Sequence, residues 1–138
     1  MMALNELATI RALIASKTAI TNLTSTRIWV GEVPENIAAG WKTPQSVQPA
    51  IQIEPDEGDS ESDPYTSQVP MTLTFFGATQ AAAVSLAETV KGALDNISET
   101  INNDRVGCFW QTSPPRPGRY ADMGWEFATA RWQALFID

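Results

Sequence analysis

The feature that most constrains this chain is the run VPMTLTFFGATQAAAVSLAETVKGALD, residues 69–95. It reads as a strand, a tight turn and a helix, and the strand and the helix each have their own period. Val69, Met71, Leu73 and Phe75 alternate with Pro70, Thr72, Thr74 and Phe76. Period two marks a strand with one buried face, and Thr and Phe suit a pleated surface. Phe76 breaks the polar half of the alternation, so the far end of the strand is expected to be covered on both faces. Gly77 stops the run. Beyond it Ala83, Leu86, Ala87, Val90, Leu94 and Ile97 recur at steps of three and four, which places them on one helical stripe. Thr79 stands where its hydroxyl can cap that helix, with Ala81, Ala82 and Ala83 as strong helix formers behind it. Gln80, Ser85, Glu88, Lys91 and Asp95 take the wet side. A stripe thinned by alanine lets the helix lie close on a sheet.

The rest of the chain can be laid against this unit. Residues 3–15 read as a first helix, with Leu4, Leu7, Ile10, Leu13 and Ile14 inward and Asn5, Glu6, Arg11 and Lys17 outward. Residues 18–26 are short, polar and β-branched and read as a connection, with room for a half-turn around Ile20 and Leu23. RIWV, residues 27–30, makes a short strand that Gly31 and Pro34 end. Residues 35–49 have turn composition and form a loop long enough to be functional or mobile. Residues 50–54 alternate as a second strand. After the central helix, residues 96–104 read as a polar connection. Residues 106–112 then form a fourth strand, with Cys108 and Trp110 on one face and Phe109 on the other. SPPRPG, residues 113–118, is a stiff turn that cannot continue a central strand. The final run, residues 120–136, alternates Ala128, Ala130, Trp132, Ala134 and Phe136 against Phe127, Thr129, Arg131, Gln133 and Leu135, one long strand with a bulge near Gly124. The expectation is a single α+β domain over residues 1–138. It has a mainly antiparallel sheet of about five strands with two helices packed on one face, in the order α-β-β-β-α-β-β.

What the composition lacks bounds the chemistry. The chain has no histidine and one cysteine, Cys108. The commonest general base and the commonest metal ligand are therefore missing, an intrachain disulfide is impossible, and a zinc site within one chain has no ligand set. Cys108, in the run VGCFW, reads as a buried thiol rather than a nucleophile. No catalytic, cofactor-binding or metal-binding constellation can be named, so the expectation is a protein that is not an enzyme and uses no cofactor. The net charge of −7, with nine scattered Lys and Arg, argues against nucleic acid as a ligand. An acidic surface near DNA is useful where DNA must pass without sticking. No apolar run approaches the roughly 20 residues of a membrane helix. The N-terminus shows no secretion signal, and cytoplasmic synthesis is the expectation.

Three groups of residues are candidates for interaction. Trp41 stands in the long loop, where it either folds back over the core edge or anchors a partner. Residues 54–63 carry six acids and no base: Glu54, Asp56, Glu57, Asp59, Glu61 and Asp63. They read as an exposed hairpin connection or an acidic patch aimed at a basic neighbour or a channel. Calcium-loop spacing is not met, because Gly58 falls too early and no Glu closes the loop in register. Arg116, within the proline turn, Arg119, just past it, and Arg131 either pair with acids on a neighbour or stay solvated.

The succession of a Leu- and Ala-rich helix, TSTRIWVGEVPEN, PAIQIEP, an acidic hairpin, VPMTLTFFGATQAAAVSLAETVKGALDN and a closing aromatic hairpin resembles the tail-terminator or tail-completion proteins of long-tailed bacteriophages. The loop at residues 35–49 is longer than the short link usual in that family. The resemblance implies a small α+β subunit that closes into a homo-oligomeric, typically hexameric, ring. Such a ring caps the tail tube, ends its polymerisation and docks the head connector, so its partners are the tail tube protein and the head–tail connector protein. DNA passes through it without specific binding, and no membrane is involved. The implied location is the head-proximal end of the tail in the virion, after synthesis in the host bacterial cytoplasm. A head-closure or neck connector protein, and a non-catalytic small-molecule-binding α+β domain, are the alternatives.

Overall fold

The computed structural model describes residues 3–56, 61, 62 and 66–137. Helices α1 (Ala3–Ala15) and α2 (Thr18–Thr24) lead into β1 (Ile28–Val30), α3 (Glu35–Ala38) and a 3-10 turn (Pro44–Ser46). Then come β2 (Ala50–Pro55), β3 (Glu61–Ser62), β4 (Thr66–Gly77), α4 (Gln80–Leu94), β5 (Ile97–Ile101), β6 (Asp104–Gln111), β7 (Arg116–Arg119) and β8 (Glu126–Ile137). The eight strands form one sheet whose main path is β1-β2-β4-β8-β6-β5, with β3 beside β4 and β7 beside β8. The β1–β2 pair is parallel and the other pairs described are antiparallel. The α+β class and the mainly antiparallel sheet agree with the sequence reading. The expected five strands and two helices in the order α-β-β-β-α-β-β do not: the described chain has eight strands and four α-helices.

Each difference has a local cause. Residues 18–24 are helical despite their threonines, because Ile20 and Thr24 drop into the core and Thr24 Oγ1 donates back to the Ile20 carbonyl. Residues 97–101 are a strand rather than a connection, so Ile97 leaves the helical stripe on which its spacing had placed it. Asn96 turns the chain with a φ of 63°, and Asp95, the last residue of the expected wet side, accepts the Gln111 N–H at 2.8 Å. Asn102 and Asn103, both with positive φ, then close a tight β5–β6 hairpin of the kind that asparagine favours. The proline-rich segment does carry strand, but at an edge. Pro117 sits in β7, which pairs with β8 alone among the described strands, where a missing N–H is tolerated. In β6 a register shift between Val106 and Cys108 turns Val106 and Phe109 to the same buried side.

The central unit forms as its periods dictate. β4 spans 12 residues and lies between β2 and β8, with Phe75 opposite Ile51 on one side and Ala128 on the other. Thr79 Oγ1 accepts the Ala82 N–H at 3.1 Å and caps α4. A Cβ on Gly77 would lie 2.9 Å from the Ala83 nitrogen, so the absent side chain lets α4 start hard against the strand it follows.

α1, α2 and α4 pack on one face of the sheet. Leu7, Ile10, Leu13, Ile20, Leu86 and Val90 share one buried cluster with alternate residues of β1, β2, β4, β6 and β8. Trp132 and Phe109, with ring centres 4.6 Å apart, sit in this core together with Phe75 and Phe136. α1 and the link that follows it touch both ends of the strand path. Arg11 Nε donates to the Ile28 carbonyl in β1 at 2.7 Å, Thr9 Oγ1 donates to Asp104 in β6 at 2.7 Å, and Lys17, just past the helix, pairs with Glu99 in β5. The sheet therefore curls around α1, and the helix shields both terminal strands. That is one answer to the liability of unpaired strand edges.

Candidate interaction surface on the helix-free face

The residues that alternate with the core residues point to the other side of the sheet. At one end this second face is covered by α3, the 3-10 turn and the β7–β8 turn. Trp41, Val47, Ala50, Phe76 and Trp125 form a second buried cluster there, with Trp29, Ile37 and Phe127 against it. Phe76, the residue that broke the alternation, is fully buried in this cluster, so β4 is covered on both faces at that end as its sequence indicated. Trp41 is 3% exposed, and its carbonyl accepts the Trp125 indole N–H at 2.9 Å. Residues 35–49 thus hold two short helical turns and close over the sheet end, with Trp41 as the side chain that fills the gap.

Tyr120 and Met123 form the exposed rim of this aromatic cap, at 37% and 46% exposure. Tyr120 packs at a tilt against Phe127, with ring centres 4.8 Å apart. Burial, and then the negative charge of Glu54, push its phenol above the ordinary tyrosine pKa of 10.0. Glu54 is exposed at the end of β2.

Away from the aromatic end the second face carries polar side chains and no helix. The register places Gln52, Thr74 and Thr129 in one row across β2, β4 and β8, and Glu54, Thr72 and Arg131 in the next. Arg116 stands opposite Thr129 across β7 and β8. A groove of about 460 Å³ lies here, lined by Thr72, Ser113, Arg116, Thr129 and Arg131. Its far wall is held firmly: the Thr112 N–H donates to the Arg131 carbonyl at 2.8 Å, and the Arg131 N–H donates to Ser113 Oγ at 3.0 Å. Towards the other end of this face lie Cys108, Trp110, Leu135 and Ile137, all partly exposed. The thiol expected to be buried is therefore on the open side, opposite Leu135.

The interaction candidates divide between internal and free roles. Arg119 donates through Nε to Glu126 at 3.0 Å, so it is committed to a nearly buried carboxylate of its own chain. Asp56 lies 3.4 Å from the Arg131 guanidinium, and the Arg131 side chain remains 66% exposed. Arg116 is exposed and has no ion pair or hydrogen bond among the described residues. Glu57, Asp59 and Asp63 lie outside the described residues, and Glu61 is described only as backbone of β3. Sequence reasoning missed Thr72, Ser113 and Thr129. Their alternation marked them as off-core, but only the strand register brings them beside Arg116 and Arg131. Among the described residues no group of three or more His, Cys, Asp or Glu is placed to hold a metal ion. No described helix is long and apolar enough to cross a membrane.

No protein-family model matches the sequence, and no curated protein matches it. Solved structures do match. A chain from the virion of a native gene transfer agent particle superposes with a TM-score of 0.66 at 16% identity, over 95% of this chain and 93% of that one. At that identity the likeness establishes a shared fold across nearly the whole chain. A second solved chain aligns over 95% of this one with a TM-score of 0.46 and 10% identity, below the level that marks a common fold.

Proposed function

We propose that this chain is a structural subunit of a phage-like particle, and that within it the chain acts as a tail terminator. In this reading copies close into a hexameric ring at the head-proximal end of the tail tube, stop tube polymerisation and present a face to the head–tail connector. DNA crosses the ring without specific contact. The observation that carries the proposal is the fold shared, over nearly full length, with a chain of a gene transfer agent virion. The succession of sequence segments that resembles tail-terminator proteins, from TSTRIWVGEVPEN to the closing aromatic run, favours the terminal ring over other positions in the particle. The composition supports a non-enzymatic role, since the chain lacks histidine and has one cysteine. The net charge of −7 suits a subunit beside which a polyanion must slide.

The test is native mass by light scattering across a concentration series, with and without purified tail tubes. A closed six-fold species, or mass added at tube ends, supports the terminator. Binding to a portal complex with indifference to tubes transfers the assignment to a neck or head-closure protein. Indifference to both removes the particle role, and a small-molecule-binding domain becomes the working reading.

A further inference from the structure

The groove on the polar part of the second face is lined by two guanidinium groups that the described residues leave largely unused. Arg116 is opposite Thr129, and Arg131 is two residues further along the same strand. The two arginines are therefore diagonal neighbours on one face, with backbones roughly 7–8 Å apart. Of the other seven basic residues, Arg11, Lys17, Arg27 and Arg119 are bonded within the chain, while Lys42, Lys91 and Arg105 are exposed and make no ion pair among the described residues. The groove differs in holding two guanidiniums on one face. Among the described residues Arg116 makes no ion pair or hydrogen bond, and the Arg131 guanidinium pairs with Asp56 at 3.4 Å while 66% of its side chain stays exposed. Thr72, Thr129 and Ser113 line the same groove of about 460 Å³. Two like charges held side by side repel until an anion lies between them. Paired guanidiniums flanked by hydroxyls present the forked donor geometry that suits carboxylates.

The same chain carries a matching anion source. Residues 54–63 hold six acids and no base. A long polyanion is disfavoured, because Glu54 and Asp56 stand at the groove's edge and the chain as a whole is at −7. A short acidic protein segment escapes that long-range repulsion, and Asp56 already shows a carboxylate meeting Arg131. We infer that the Arg116–Arg131 groove is a docking site for the acidic segment, residues 57–63, of a second copy of this chain. Such a contact joins two different patches, and repeated heterologous contacts generate a ring when the rotation closes. For that ring use the inference rests on the proposed terminator role. The contact itself is measured on isolated protein and stands or falls without tail tubes.

The probe is a synthetic peptide of residues 54–63, titrated calorimetrically into the full chain at low and high salt. The expected result is saturable binding that weakens at least about tenfold in Arg116→Glu, the scale of losing a charge-assisted contact, and vanishes in Arg116→Glu with Arg131→Glu and at high salt. Inorganic phosphate that binds as tightly as the peptide overturns the inference in favour of a plain anion site. A second measurement uses sedimentation of charge-swapped chains. One carries Arg116→Glu and Arg131→Glu, and the other carries Glu57→Lys, Asp59→Lys, Glu61→Lys and Asp63→Lys. Each alone is expected to stay monomeric, while their mixture associates. Absence of peptide binding together with a mixture that stays monomeric, as when the segment serves its own groove, overturns the contact between copies.

Discussion

On β8, Ala128, Ala130, Trp132, Ala134 and Phe136 point one way and are buried, the last four in the cluster they share with α1, α2 and α4. Thr129, Arg131, Gln133, Leu135 and Ile137 point the other way and keep contact with water. The same strand therefore serves two surfaces. One is apolar, covered by helices and continuous from β1 to β6. The other is sealed by aromatics at one end and left polar beyond, with guanidiniums and hydroxyls in a groove. The contrast separates residues that hold the fold from residues available to a neighbour, and substitutions on the two faces should part accordingly.

The largest effect is expected on the covered face. Trp132→Ala removes a fully buried ring packed on Phe109 and is expected to destabilise the protein by about 3–5 kcal/mol, read by denaturant unfolding. A loss as small as that of a surface change would erase the distinction between the faces. Gly77→Ala comes next. Its Cβ would meet helix backbone rather than a flexible side-chain end, and a cost of about 1–3 kcal/mol is expected from the shift forced on α4. Thr79→Ala removes the cap bond to Ala82 and is expected to cost about 1 kcal/mol in thermal unfolding, with Thr79→Ser recovering most of it.

On the open face the order reverses, with contact affected and stability spared. Arg116→Glu should leave unfolding within about 0.5 kcal/mol of the parent, because Arg116 is exposed and makes no ion pair or hydrogen bond among the described residues. Co-assembly is the quantity expected to fall. A marked loss of stability would show that the residue belongs to the fold. The smallest effect is a titration. Burial first, and Glu54 second, raise the Tyr120 pKa, so the folded state holds that proton more tightly than the unfolded state. Tyr120 therefore favours folding below the ordinary tyrosine pKa, and the contribution fades as pH rises through and beyond it. Phenolate absorbance should show Tyr120 ionising after an exposed tyrosine, and Glu54→Gln should narrow the gap.

The faces also differ in how far the sequence disclosed them. The covered face could be read because its signal is local. Val69 to Phe75 and Ala128 to Phe136 alternate, and the α4 residues Ala83 to Leu94 recur at helical steps. Boundaries failed where the local signal was diluted. ISETI, residues 97–101, is a five-residue strand set among Asn, Ser and Asp, and its Ile97 happened to continue the helical spacing of α4. α2 was hidden by threonines, which are helical here because tertiary burial overrides a weak propensity. Trp41 could be placed in a loop but not against Trp125, 84 positions away. The groove was legible only in parts. Thr72, Thr129 and Arg131 stood out as off-core by alternation. Their meeting with Arg116 and Ser113 depends on the pairing of β4, β7 and β8, which no single stretch encodes.

The terminator role is tested most directly by electron microscopy of tail tubes polymerised with and without this protein. The account predicts that tubes grown with it stop elongating and carry a six-fold ring at one end only. Tubes that elongate unchanged with bare ends, or that bind the protein along their whole length, would contradict it.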